Sequence, residues 1–205
     1  MEVNEVLNRL RSLANPANVA GMAKFGINPQ NTLGISIPAL RKLAKEIGKD
    51  HALAGQLWKS GIHEARILAS MVDDPALVTE AQMERWVKGF DSWDVCDQVC
   101  GNLFDKTPFG FRKAAEWSGR KEEFVKRAGF ALMAALAWHD KEADDSQFEA
   151  FFPLIEREAP DPRNFVKKAV NWALRQIGKR NRNLRRLAIA TAKRIQKQDS
   201  SAARW

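Results

Sequence analysis

Apolar residues along this chain recur mostly at three- and four-residue spacing, with few stretches of β-branched alternation. That period belongs to helices that bury one stripe, and it predicts an all-α protein. Val3, Val6, Leu7, Leu10 and Leu13 form a first amphipathic stripe, which Asn15-Pro16 is expected to end. A loop with turn chemistry follows, from Phe25-Gly26-Ile27-Asn28-Pro29 through Leu33-Gly34-Ile35-Ser36-Ile37-Pro38. Pro38 suits the first turn of the next helix, where its missing N–H costs nothing. Leu40, Leu43, Ala44 and Ile47 supply that helix's buried stripe, and Gly48 its stop. Further helices are predicted over 51–58, 63–71, 79–88, 93–104, 108–118, 122–138, 146–155, 164–178 and 183–198. Their connectors carry turn residues (Ser60-Gly61, Asp73-Asp74-Pro75, Gly89-Phe90-Asp91, Ser118-Gly119, Pro160-Asp161-Pro162) and are too short for interdomain linkers. A single domain over residues 1–205 is therefore expected.

One phrase occurs twice. Phe124-Val125-Lys126-Arg127-Ala128 returns as Phe165-Val166-Lys167-Lys168-Ala169, 41 residues on, and both copies continue as Ala-rich helix. The period falls in the range of HEAT and armadillo repeats. Units of this kind cannot bury their apolar faces alone, so they stack into a curved solenoid with a concave binding face.

Charge sharpens the picture. Between Arg163 and Trp205 stand thirteen Lys and Arg and one acid, Asp199, a local balance of +12. The whole chain carries +8, which leaves −4 for residues 1–162. A concentrated positive field attracts a polyanion, and nucleic acid is the commonest; the alternative is a solvated helical tail. With 45% hydrophobic residues the chain can bury a core. No apolar run approaches the ~20 residues that span a bilayer. The opening Met1-Glu2-Val3-Asn4-Glu5 has no basic segment leading into an apolar one. Two cysteines four apart, Cys96 and Cys100, suggest no disulfide framework. A reduced, cytoplasmic protein with no membrane partner is the expectation.

Seven Trp and no Tyr is an unusual ratio, and two of the indoles have informative neighbours. Trp172 shares a helix face with Lys168, Arg175 and Lys179. An indole among cations suits a groove that holds phosphates while packing on sugar or base, although a helical Trp can equally be core. Lys168, Arg175, Lys179, Arg180 and Arg182 are expected to flank one groove. In Ser92-Trp93-Asp94-Val95-Cys96-Asp97, Asp91 or Ser92 is expected to cap the helix, with Asp94 in its first turn. Asp97 lies on the face of Trp93, where no cap explains it; a salt bridge and a catalytic role both remain open. His63-Glu64-Ala65-Arg66 reads as a polar cluster packing a neighbouring turn. Cys96 and Cys100 with His63 or His139 lack the spacing of a zinc site. No phosphate loop, nucleophile elbow or kinase signature is present.

These motifs, in this order and over nearly the whole chain, resemble the HEAT-like-repeat DNA alkylation repair proteins. The resemblance rests on Phe25-Gly26-Ile27, Gly34-Ile35-Ser36-Ile37-Pro38, His63-Glu64-Ala65-Arg66, Ser92 to Asp97, Lys126-Arg127-Ala128, and Lys167-Lys168-Ala169 leading to Trp172. It implies a monofunctional DNA glycosylase that removes cationic N3- or N7-alkylated purines from duplex DNA. Asp97 is implied as the catalytic carboxylate, Trp93 and Trp172 as contacts to the lesion's sugar, and Arg127 as a backbone contact. It implies no metal and no cofactor. Two alternatives remain: a non-catalytic binder of branched or bulged DNA, and a protein-interaction scaffold.

Overall fold

The computed structural model describes residues 1–204; Trp205, the end of the basic segment, lies outside them. Among the described residues all regular structure is helical. The chain divides into two compact units, Met1–Thr107 and Pro108–Trp205.

The first unit opens with α1 (Val3–Ser12), which buries Val6 and Leu10. The second helix, α2 (Pro16–Lys24), lies between the first predicted helix and the predicted loop, over residues to which the apolar spacing assigned no element. Asn15-Pro16 ends α1 as expected, but it also begins α2. The Asn15 side chain accepts from the amides of Ala17 and Asn18, and Pro16 takes the first turn. Then come α3 (Ile37–Ile47), α4 (His51–Lys59), α5 (His63–Val72), α6 (Glu80–Lys88), α7 (Trp93–Asn102) and a 3-10 turn at Phe104–Lys106. Pro38 lies in the first turn of α3, and Gly48 ends that helix with φ +77°, a conformation other residues rarely adopt. The core of the unit is α5, packed on α3, α4 and α7 and buried from His63 to Ser70. Between α4 and α6 the rings of Trp58 and Trp86 stack at 4.2 Å.

The second unit comprises α8 (Gly110–Ser118), α9 (Glu123–His139), α10 (Asp145–Glu149), α11 (Phe152–Glu158), α12 (Asn164–Lys179), α13 (Arg182–Ile195) and α14 (Ser201–Arg204). A single helix over 146–155 was expected, but two short ones are found. Pro153 is the reason: inside one helix it would remove a hydrogen bond and clash with the carbonyl four residues earlier, whereas the first turn of α11 accepts it.

The repeated phrase forms the starts of α9 and α12, which lie side by side and in register. Phe124 meets Phe165 at one end, with ring centroids 5.7 Å apart. At the other end Arg180, just past α12, donates to the carbonyl oxygens of Ala137 and Asp140 that finish α9. The 41-residue offset therefore equates Arg127 with Lys168, Ala131 with Trp172, Ala134 with Arg175, and Trp138 with Lys179. On its other flank α9 packs on α8, and Gly129 permits the approach: a Cβ there would fall 2.4 Å from the amide nitrogen of Ser118. The all-α helical-repeat class expected from the sequence is the one observed.

Candidate functional site

In the first unit the candidate chemistry sits on α7. Trp93 and Asp97 are one turn apart on the same face, and both are half-buried. The indole Nε1 of Trp93 donates to the carbonyl oxygen of Phe25 at 3.1 Å, which ties the helix to the loop after α2. Beneath this face, Cys96 and Cys100 are buried, and burial foremost pushes the Cys100 thiol well above its ordinary range. These thiols are core residues, not nucleophiles.

The start of α7 is held from several sides. Neither expected residue caps the helix with its side chain. Ser92 occupies the N-cap position, but its hydroxyl accepts from the backbone amide of Asn28 at 2.9 Å. Asp91 is engaged by the guanidinium of Arg66 and by the side-chain amide of Asn28. Local spacing cannot reveal this, because the competing donors come from 25 to 64 residues away. Asp94 lies in the first turn as expected, and its Oδ2 is 2.8 Å from Nε2 of the buried His63.

The His63-Glu64-Ala65-Arg66 cluster on α5 positions this helix by three separate grips. His63 meets Asp94. Arg66 also donates to the Gly89 carbonyl at 2.6 Å, fixing the turn before α7. Glu64, fully buried, accepts from the backbone amides of Leu33, Gly34 and Ile35 at 2.8, 2.6 and 3.2 Å. A buried carboxylate is tolerable when several N–H donors surround it. Here it orders the loop whose other end receives Trp93. Sequence reasoning saw the polar cluster on α5 but not that each member grips a different segment.

The second unit carries the cations. On α12 the residues Lys168, Trp172, Arg175 and Lys179 form one stripe at helical spacing; Trp172 is half-buried and the three cations are exposed. Arg182, exposed, opens α13. Among the described residues, Lys168, Arg175, Lys179 and Arg182 form no ion pair. Two other expected contacts turn inward. Arg127 is 6% exposed and donates from Nη1 to the Phe165 carbonyl at 2.6 Å, in the seam between α9 and α12. Arg180 donates to the carbonyls of Ala137, Asp140 and Ala143 and packs 4.0 Å above the ring of Phe148. Its donors serve the end of α9, which removes it from the exposed set. Lys126 pairs with Glu158 and, at 3.2 Å, with Asp161.

Unit by unit, the arrangement offers an indole beside a carboxylate on a fixed helix, and an exposed cationic stripe around a second indole. A solved structure described as "a new family of proteins related to the HEAT-like repeat DNA glycosylases with affinity for branched DNA structures" is similar to this chain. It shares 20% identity at a TM-score of 0.85, over 95% of this chain and 83% of that one. At that identity the likeness shows the fold, an all-α HEAT-like repeat. No curated protein sequence matches the chain. A family model for DNA alkylation repair enzymes matches residues 6–203. That match spans both the α7 pair and the α12 stripe, and the chain belongs to the DNA alkylation repair enzyme family.

Proposed function

We propose that this protein is a monofunctional DNA glycosylase that excises cationic N3- or N7-alkylated purines from duplex DNA. The observation that carries the reading is the Trp93–Asp97 pair: a partly exposed carboxylate one turn from an indole, on a helix gripped by His63, Arg66 and Asn28. Alkylation puts a positive charge on the purine and makes it a good leaving group. Breaking the N-glycosidic bond develops oxocarbenium character on the deoxyribose, as in other glycoside hydrolysis. Asp97 stabilises that cation and orients the attacking water. The indole face of Trp93 favours the same positive sugar, and Trp172, among its cations, packs on the DNA. Lys168, Arg175, Lys179 and Arg182 hold phosphates, with Arg127 stiffening the α9–α12 seam. The lesion is already activated, so the reaction needs no metal or cofactor.

A second reading, a non-catalytic binder of branched DNA, draws on two observations. Arg127 is drawn into the seam instead of being displayed, and the similar solved structure is described as having affinity for branched DNA. Release of free base from a duplex containing N7-methylguanine or N3-methyladenine separates the two. Single-turnover excision by the wild type is expected, and Asp97→Asn slows it about 10²–10³-fold while DNA affinity stays close to wild type. Equal rates for both proteins remove Asp97 from the mechanism. No excision by either leaves the non-catalytic reading.

A further inference from the structure

Trp138 takes no part in the chemistry above, yet its setting is unusual. It ends α9 and is 59% exposed, whereas tryptophan is normally among the more buried residues. Its backbone is nonetheless fixed. The guanidinium of Arg180 binds the carbonyls of Ala137, Asp140 and Ala143, one immediately before Trp138 and two just after. Lys141 Nζ lies 5.6 Å from the indole centroid. Because α9 and α12 run in register, Trp138 occupies on α9 the place that Lys179 occupies on α12. It therefore lies next to the end of the Lys168–Trp172–Arg175–Lys179 stripe.

We propose that Trp138 is a base-stacking residue: its ring packs on an unpaired nucleobase of DNA at the end of the cationic stripe, while Lys141 and Lys179 hold the flanking phosphates. The inference rests on the DNA-binding part of the proposed function and not on excision. Charge complementarity selects the occupant, since an indole with one exposed ammonium group beside it and another at the equivalent place on the adjacent helix suits a ligand with a flat π face and anionic neighbours. A base inside a duplex has both faces covered by its neighbours. Trp138 therefore acts on nucleotides outside the stack, at a bulge or branch, and discriminates these from continuous duplex. The fixed backbone matters, because a side chain carried on ordered backbone has only its own rotamers left to lose on binding.

The test compares wild type, Trp138→Ala and Trp138→Phe on a fully paired labelled duplex and on the same duplex with one bulged nucleotide. Each titration is repeated over a range of salt, and each protein is melted. Trp138→Ala is expected to weaken binding to the bulged duplex about tenfold, with the paired duplex changed by less than about twofold. Trp138→Phe keeps most of the affinity. The salt slope stays the same, because no phosphate contact is lost. Unchanged affinity of Trp138→Ala for the bulged duplex, beside salt-dependent binding by the wild type, overturns the inference and leaves the DNA-binding reading standing. Equal losses on both duplexes with a lowered melting temperature overturn it in favour of a structural role. Absence of salt-dependent DNA binding by the wild type overturns both the inference and the reading beneath it.

Discussion

The helices α9 and α12 start from nearly the same five residues and end in opposite environments. From Arg127 to Ala137 every residue of α9 is buried, whereas α12 buries Val166, Ala169, Val170, Ala173 and Ile177 and shows its other side to solvent. The cation at the fourth position of the phrase follows its helix. Arg127 enters the seam and bonds the Phe165 carbonyl, while Lys168 stands exposed. At the sixth position Gly129 admits the backbone of α8, but its counterpart Val170 fills space with a side chain. The inner copy thus serves packing and the outer copy display. Both helices have neighbours on two flanks, α8 and α12 for α9, α9 and α13 for α12. The difference is that α9 is enclosed from Arg127 to Ala137, whereas α12 keeps one face in solvent and can carry charge there at little cost.

The largest effect expected from breaking this contrast is at Gly129. Gly129→Ala forces a methyl against the Ser118 amide nitrogen at 2.4 Å, a backbone atom that cannot move aside cheaply. The expected cost is about 3 kcal/mol, from overpacking that exceeds alanine's better helix propensity. Val170→Ala, at the equivalent place, loses only buried methyl groups and costs about 1–2 kcal/mol. Urea unfolding of the two variants measures the difference, and equal losses would mean that the two copies pack alike.

A middle-sized effect separates the paired cations. Arg127→Ala removes a buried, charge-assisted hydrogen bond and lowers stability by about 2 kcal/mol. Lys168→Ala changes stability by no more than about 0.5 kcal/mol. It should instead lower DNA affinity and flatten the salt dependence by about one unit, as the loss of one phosphate contact requires. Thermal melts and salt titrations of both variants supply the comparison. A stability loss at Lys168 as large as that at Arg127 would erase the division between packing and display.

The smallest effect concerns the ends of the phrase. Arg163, through its hydrogen bonds, holds the Asp161 carboxyl at about 2, below its ordinary 3.8, with further help from Lys126. Burial opposes ionisation of Glu158, but hydrogen bonds from Lys126 and Arg157 outweigh it and lower that carboxyl too. Groups depressed in the folded state stabilise it above their unfolded values, and the gain fades as pH falls through the folded ones. The stability contributed by Asp161 is therefore complete above about pH 5 and lost between about pH 4 and pH 2. Asp161→Asn should cost about 1 kcal/mol at neutral pH and flatten the acid limb of the unfolding curve. An acid limb identical to the wild type's would place the pH dependence elsewhere.

Much of this was legible in the residues, because helix periodicity is a local property. The stripe Lys168–Trp172–Arg175–Lys179 follows from 3.6 residues per turn, and Trp93 with Asp97 from the same rule. The doubled phrase announced parallel packing of two helices 41 residues apart. The break at Pro153 is also present in the sequence, since an interior proline cannot continue a helix, but the apolar spacing runs on across it and masks that signal. The start of α2 at Asn15-Pro16 is masked in a related way: a residue pair that ends one helix can also cap and open the next.

What the residues alone determined is which elements form and which side chains share a face, since both depend on neighbours within one or two turns. Which faces are covered was decided only by the tertiary structure. Arg127 and Lys168 read alike, yet one meets a carbonyl across a seam and the other meets water. Arg180 looked like one more exposed cation, but three carbonyls of the chain 37 to 43 residues earlier claim it. Ser92 and Asp91 are drawn from capping by donors on distant segments, and the buried carboxylate of Glu64 has a purpose only when the loop at Leu33–Ile35 folds over it. A hydrogen-bonding side chain takes whichever partner the fold brings within about 3 Å, and sequence spacing beyond a few turns does not specify that partner.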